Sequence, residues 1–165
     1  MPSAAVLTIS DTRSAGTNVD RSGPAAAERL AAAGLTVTTR DIVPDERDEI
    51  ARRVRALVGA VDLVVTTGGT GIATRDVTPE ALSGVIERSL PGFGEAMRMA
   101  SFERTPLSII SRGGAGVAGR TLVVWLPGSP RGVLECLEPI LPAILHVLKV
   151  LTAGGVECAS QPDAR

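Results

Sequence analysis

Short apolar, β-branched runs alternate along the chain with longer amphipathic ones. Val6 to Ser10 reads as a buried strand closed by Asp11-Thr12, with a polar loop from Asp11 to Ser22 behind it. A helix starts near Pro24, with Ser22 or Gly23 as cap, and stops at Gly34. Leu35 to Val43 is a second strand, ended by Pro44. From Asp45 the spacing turns helical: Ile50, Val54, Leu57 and Val58 share one face, while Asp48 and Glu49 stand four residues before Arg52 and Arg53 on another. Val61 to Thr66 is a third strand and runs straight into Gly68-Gly69-Thr70-Gly71.

Thr78-Pro79-Glu80 opens the next helix, with Leu82, Val85, Ile86 and Leu90 as its core stripe and Pro91-Gly92 as its break. A short helix with Phe93, Met97 and Ala100 inward precedes a strand over Leu107–Ile110. Gly113 to Gly119 then reads as a glycine-rich loop that echoes Gly68 to Arg75, and Thr121–Leu126 is another β-rich run. Ser129-Pro130 begins a helix that Pro139 and Pro142 interrupt before a terminal segment to Leu151, and residues 152–165 read as a loose tail. Strands alternating with helices predict one α/β domain over residues 1–165, core about 4–151, with a mostly parallel sheet covered on both faces. The connection from Ser111 to Thr121 is short for a parallel crossover. The last two strands are therefore antiparallel, or the glycine-rich segment runs back extended across the sheet.

Composition narrows the function classes. The chain has 165 residues, enough for one domain that buries roughly 70% of its unfolded surface without a staple. Lys and Arg number 17 against 18 Asp and Glu, and only 2% of residues are aromatic. That balance argues against a nucleic-acid binder, which needs a basic patch and ring platforms. Cys136 and Cys158 form neither a disulfide framework nor a metal cluster, so a reduced cytoplasmic protein is expected. The start of the chain lacks the positive stretch of a signal peptide, and the apolar run Pro139–Leu151 is too short to span a bilayer.

Ligands of open α/β sheets sit outside the carboxyl ends of the strands. Five motifs come directly after predicted strands and would converge there: Ser10-Asp11-Thr12, Pro44-Asp45-Glu46, Thr67 to Asp76, Ser111-Arg112 and Leu126 to Pro130. Thr67–Gly71 fits neither a Walker loop, for want of Lys, nor the dinucleotide fingerprint, because Thr74 stands where Gly or Ala is needed. It is either a tight strand-to-helix turn or a backbone cradle for phosphate. Asp45 and Asp76 either cap and order their turns or hold Mg²⁺ with substrate phosphates. Ser22, Thr78 and Ser129 stand at helix starts that could also take an anion, and Arg75, Arg112 and Arg131 lie near enough to neutralise one. His146, the single His, is far from every motif, which leaves no His-based acid–base chemistry.

Taken in order, the motifs resemble one family. Thr8-Ile-Ser-Asp-Thr12, Asp20-Arg-Ser-Gly-Pro24, Val43-Pro-Asp-Glu46, Thr67-Gly-Gly-Thr-Gly71, Arg75-Asp-Val-Thr-Pro-Glu80, Pro91-Gly-Phe-Gly-Glu95, Ser111-Arg112, Ala115 to Thr121 and Leu126-Pro-Gly-Ser-Pro130 are similar to those of the MogA/MoaB group of molybdenum-cofactor biosynthesis, over residues 4–150. The resemblance implies an α/β/α sandwich, assembled as a trimer or hexamer, that uses Mg²⁺ to transfer AMP from ATP to the terminal phosphate of molybdopterin. It implies Asp45 and Asp76 as catalytic and metal-holding residues. Ser10, Asp11, Ser22, Gly68, Gly69, Thr70, Gly71, Ser111, Pro127, Gly128 and Ser129 would bind nucleotide and pterin. A binding-only carrier of molybdopterin is the alternative within the same family. One departure stands out: where the family commonly has Asn before Leu-Pro-Gly, this chain has Trp125.

Overall fold

The computed structural model describes residues 1–152, so Cys158 and residues 153–165 of the expected tail lie outside the described residues. The strands are β1 (Ser3–Ile9), β2 (Thr36–Val43), β3 (Leu63–Thr67), β4 (Arg88–Ser89), β5 (Gly114–Ala118) and β6 (Thr121–Leu126). The helices are α1 (Asp11–Ser14), α2 (Ser22–Ala32), α3 (Arg47–Leu57), α4 (Thr78–Ser83), α5 (Pro91–Phe102) and α6 (Pro130–Thr152), with a 3₁₀ turn at Pro106–Ile110. The six strands form one sheet in the order β2-β1-β3-β6-β5-β4. The first four are parallel; β5 runs antiparallel to both β6 and β4.

Side chains of the central strands alternate between two cores, as the two-residue period of a strand requires. Ala4 and Val6, Leu63 and Val65, Leu122 and Val124 pack under α2, α5 and α6. Ala5, Leu7 and Ile9, Val64 and Val123 pack under α3 and α4. Helices on both faces make the three-layer sandwich expected from the pattern. Among the described residues no helix is long and apolar enough to cross a membrane.

Several local expectations need correction. The loop after β1 contains a helical turn, α1, whose first turn is capped by the Ser10 hydroxyl. α2 begins at Ser22 itself, and its cap is the Asp20 carboxylate, which accepts from the Ser22 and Gly23 N–H groups at 3.1 Å each. α3 carries no four-residue ion pairs. Arg52 pairs with Glu49 three residues back, and Arg53 reaches Asp41 on β2. α4 stops at Ser83, so Val85, Ile86 and Leu90 pack from beyond it and Arg88–Ser89 adds an edge strand. On α5, Met97 is buried but Ala100 faces out and Ser101 turns inward.

Leu107–Ile110 is not a strand. It is a 3₁₀ turn with Leu107, Ile109 and Ile110 exposed. The strand is the glycine-rich segment itself, so its likeness to Gly68–Arg75 is one of composition and not of structure. Glycine is required there: a Cβ on Gly114 would lie 2.8 Å from the Trp125 ring, and one on Gly116 2.4 Å from Ile86. Pro139 and Pro142 do not interrupt α6, which is continuous to Thr152. Each removes one helical hydrogen bond at a cost of about 3 kcal/mol. The stripe Val133, Cys136, Leu137, Ile140, Leu141, Ile144 and Leu148 is buried, at roughly 1.5–3 kcal/mol for each large side chain, and outweighs that cost.

Candidate active site

Every motif read as chemistry reaches one rim of the sheet. The carboxyl ends of β1, β2, β3 and β6 place Ser10–Asp11, Asp45, Gly68–Asp76 and Pro127–Ser129 there. Ser111-Arg112 arrives from the opposite direction: it leads into β5, and because β5 is reversed, its start lies on the same rim. Arg112 N–H donates to the Thr70 carbonyl at 2.9 Å and joins the two segments.

The turn after β3 is built for glycine. Gly68 (φ +101°) sits so close to β1 that a Cβ would be 2.3 Å from the Ile9 carbonyl oxygen, and Gly128 packs against its other side. Gly69 (φ +65°) leaves no room beside the Thr78 hydroxyl, which donates to the Gly68 carbonyl at 2.9 Å. Only residues without a side chain tolerate both the left-handed backbone and these approaches. Among the described residues the N–H groups of Gly69, Thr70 and Gly71 donate to nothing, so three successive donors of the turn are left without a protein acceptor. Arg112 holds the rest of the loop: Nε donates to the Gly71 carbonyl, Nη2 to the Asp76 carbonyl, and Nη1 pairs with Glu80. Its cation is committed to loop geometry.

On one side of this turn stand carboxylates. Asp11 and Asp45 exchange hydrogen bonds, each backbone N–H donating to the other's side chain at 2.8 and 2.9 Å. Asp45 Oδ1 would meet a Cβ of Gly69 at 3.4 Å, and Asp76 Oδ2 a Cβ of Gly71 at 2.6 Å, so both acids border the glycine turn. Burial pushes the Asp45 carboxyl above its ordinary value, and the charges of Asp11 and Asp76 add to this against the Asp11 N–H. Asp11 moves the other way, chiefly because Arg75 donates to it. Arg75 spans Asp11 and Glu46 and is committed to them.

On the other side lies a cleft of about 330 Å³. Of the predicted site residues, Thr70, Gly71, Ser111, Pro127 and Ser129 line it; Ser129 also caps α6 by accepting from Gly132 N–H. Ser10, Asp11, Asp45 and Asp76 stand outside it, and Gly68 and Gly69 join the two halves. Ser22 belongs to neither. It is fully buried, its hydroxyl held between Asp20 and Thr67, where it braces the base of the glycine turn. Trp125 packs inward on Gly114 and donates Nε1–H to the Arg112 carbonyl at 2.8 Å, with no surface in the cleft. Arg131, expected near an anion site, lines the cleft, but sequence reasoning missed the rest of the far wall, chiefly Met97, Arg98 and Ser101 of α5, Leu107 and Ile110 of the 3₁₀ turn, and Glu135 of α6. The signal for it was Pro91-Gly-Phe-Gly-Glu95, which marks a helix break and also begins the helix that forms this wall.

Comparison with known proteins gives the family. The chain matches the model of a probable molybdopterin binding domain over residues 5–146. It is 44% identical over 150 residues to the molybdopterin adenylyltransferase of Helicobacter pylori, covering 88% of this chain and 85% of that one. Against the Escherichia coli protein of the same name, identity is 41% over 143 residues, covering 84% and 73%. The molybdopterin biosynthesis enzyme MoaB of Thermus thermophilus superposes with a TM-score of 0.87 at 40% identity, over 95% of this chain and all of that one. Sheet order, glycine turn and family match together place the chain in the molybdopterin-binding family of molybdenum-cofactor biosynthesis proteins.

Proposed function

We propose that the protein is a molybdopterin adenylyltransferase: it transfers AMP from ATP to the terminal phosphate of molybdopterin, forming adenylylated molybdopterin and pyrophosphate. The observation that carries this reading is the glycine turn, with three free N–H donors, between a pair of carboxylates and a cleft. Two anionic substrates can meet across it, the nucleotide on the carboxylate side and the pterin in the cleft.

An oxygen of the acceptor phosphate attacks the α-phosphorus of ATP, the bond to the β-phosphate oxygen breaks, and pyrophosphate leaves. The nucleophile is already an anion at neutral pH, so no side chain has to remove a proton. What the chain supplies is alignment and charge compensation, the two largest sources of rate in such a displacement. Gly69, Thr70 and Gly71 offer amide donors to the phosphoryl oxygens, and the Arg112 clamp fixes their direction in advance. Ser111, Pro127 and Ser129 complete the cleft, while Ser10 stands on the carboxylate side, where Asp11 holds Asp45 in place.

The residues present fit Mg²⁺. Asp45 Oδ1 and Asp76 Oδ1 accept no hydrogen bond among the described residues, which leaves each acid one hard oxygen toward the turn. Among the described residues no group of three or more metal-binding side chains is assembled. That suits an ion that takes one or two carboxylates and completes its shell with substrate phosphates and water. When bound, the ion supplies charge neutralisation between the phosphates.

The same reading makes the protein a cytoplasmic homo-oligomer of three or six copies. The test is pyrophosphate release from molybdopterin, ATP and Mg²⁺. Turnover is expected, and Asp76→Asn is expected to lower it at least about a hundredfold, the scale of a lost transition-state interaction, while molybdopterin still binds. Tight pterin binding by wild type with no pyrophosphate would leave only the carrier reading.

A further inference from the structure

The cleft is polarised. At the end beside the glycine turn, Arg98 donates from Nη1 to the Ser111 carbonyl at 3.3 Å and has no carboxylate within 4.0 Å among the described residues. Ser111 is the chain neighbour of Arg112, whose N–H holds Thr70, so this guanidinium lies next to the phosphate-binding turn. Met97 precedes Arg98 and Ser101 lies one turn beyond it on α5; both line the cleft, and Ser101 Oγ meets Cys136 Sγ at 3.7 Å. Next to Cys136 is Glu135, whose side chain is only 13% exposed.

Glu135 is unevenly engaged. Both of its cations are on one oxygen: Arg131 Nε at 2.7 Å and Arg104 Nη1 at 3.8 Å from Oε1. Oε2 accepts no hydrogen bond among the described residues, and it is not sealed in protein either, since the sealed orphan there is Thr66 Oγ1. Arg131 also lines the cleft, but it and Arg104, 71% and 69% exposed, both meet the carboxylate at Oε1 and leave Oε2 without a partner among the described residues. A carboxylate has about four lone-pair positions, and most of those on Glu135 remain open.

A guanidinium beside the glycine turn and a part-open carboxylate, with Met97, Ser101 and Cys136 lining the same cleft, are the complement of a flat ligand with a phosphate at one end and paired N–H donors at the other. The pterin ring carries such a pair, the 2-amino group and the neighbouring ring N–H, which two carboxylate oxygens can accept in parallel. We propose that Glu135 is a specificity-determining residue that reads the aminopyrimidinone edge of the pterin, with Arg98 receiving the phosphate end. The proposal rests on the adenylyltransferase reading and narrows it to the direction in which the acceptor lies.

The experiment titrates the full-length protein with pterin and with lumazine, which has a carbonyl in place of the 2-amino group, and repeats both with Glu135→Gln. Wild type should bind pterin at least about tenfold more tightly than lumazine, as a site left with an unpaired buried acceptor does. E135Q should bring the two within about twofold and raise the molybdopterin KM about tenfold, leaving the ATP KM and kcat within about twofold, because a uniform binding contact is lost. Equal affinities in wild type, no measurable binding of either probe, or a preference that survives in E135Q would each overturn the proposal. If E135Q does not fold, the wild-type preference decides it alone. A pterin preference without pyrophosphate release sinks the transferase and leaves Glu135 standing; turnover without the preference does the reverse.

Discussion

Asp45 is a residue whose two duties oppose each other. Burial and the charges of Asp11 and Asp76 hold its carboxyl above the ordinary value of 3.8, so the folded protein takes up that proton more readily than the unfolded chain. The folded state therefore carries a penalty at neutral pH, which fades as pH falls through the raised folded value and is gone below the ordinary value of the unfolded chain. Asp45→Asn keeps an oxygen for the Asp11 N–H and removes the charge. It should melt above wild type at pH 7, lose that advantage near the ordinary carboxylate value, and turn over poorly; calorimetric scans across that range check it. Thr66 poses a simpler case. Its hydroxyl, on β3, is buried without a partner among the described residues, so Thr66→Val should stabilise the fold by about 1 kcal/mol in urea unfolding, the scale of an unsatisfied polar group.

At the scale of elements, the glycine turn is the least forgiving piece. Gly68→Ala would force a side chain into left-handed backbone and against the Ile9 carbonyl, at about 1–3 kcal/mol for the strain alone and more for the contact. Urea unfolding should show a loss of at least about 2 kcal/mol, with pterin binding weakened alongside. This turn is legible in the amino-acid sequence, because a β-branched apolar run ending in glycines has few other meanings. So are β1, β3 and β6. β5 is not: Gly114, Ala115 and Gly116 have little strand preference of their own, and what makes them a strand is the Trp125 ring and Ile86 pressed where side chains would be. Leu107–Ile110 misleads for the opposite reason, since a short apolar run reads as a strand whether or not neighbours cover it. The site divides along the same line. Residues just past a strand can be placed on the rim from sequence, whereas Arg98, Ser101 and Glu135 reach the cleft through helix packing that no local pattern announces.

For the whole molecule, the near-neutral formal charge hides an uneven rim. On the carboxylate side of the glycine turn, away from Arg98 and Arg131 in the cleft, Asp11, Asp45, Glu46, Asp76 and Glu80 outnumber Arg47, Arg75 and Arg112, and the last two are bound to acids of the same group. A triphosphate approaching alone is repelled by this field. ATP affinity should therefore rise at least about tenfold when Mg²⁺ is added, on the scale of one well-placed unit charge at the surface. Titration with and without chelator measures it, and an affinity indifferent to Mg²⁺ would contradict the assignment of Asp45 and Asp76.

The reversal of β5 has a further consequence for how the site is divided over the fold. Because the chain turns back at the sheet's edge, α5 and the 3₁₀ turn hang as one excursion between β4 and β5, and that excursion supplies much of the cleft's far wall. It is tied to the core at Met97 and, through Ser111 and Arg112, to the glycine turn. The catalytic half is thus tied to the firmest constraint of the fold, its sheet, while the recognition half is shared between this excursion, which carries Arg98, and α6, which carries Glu135.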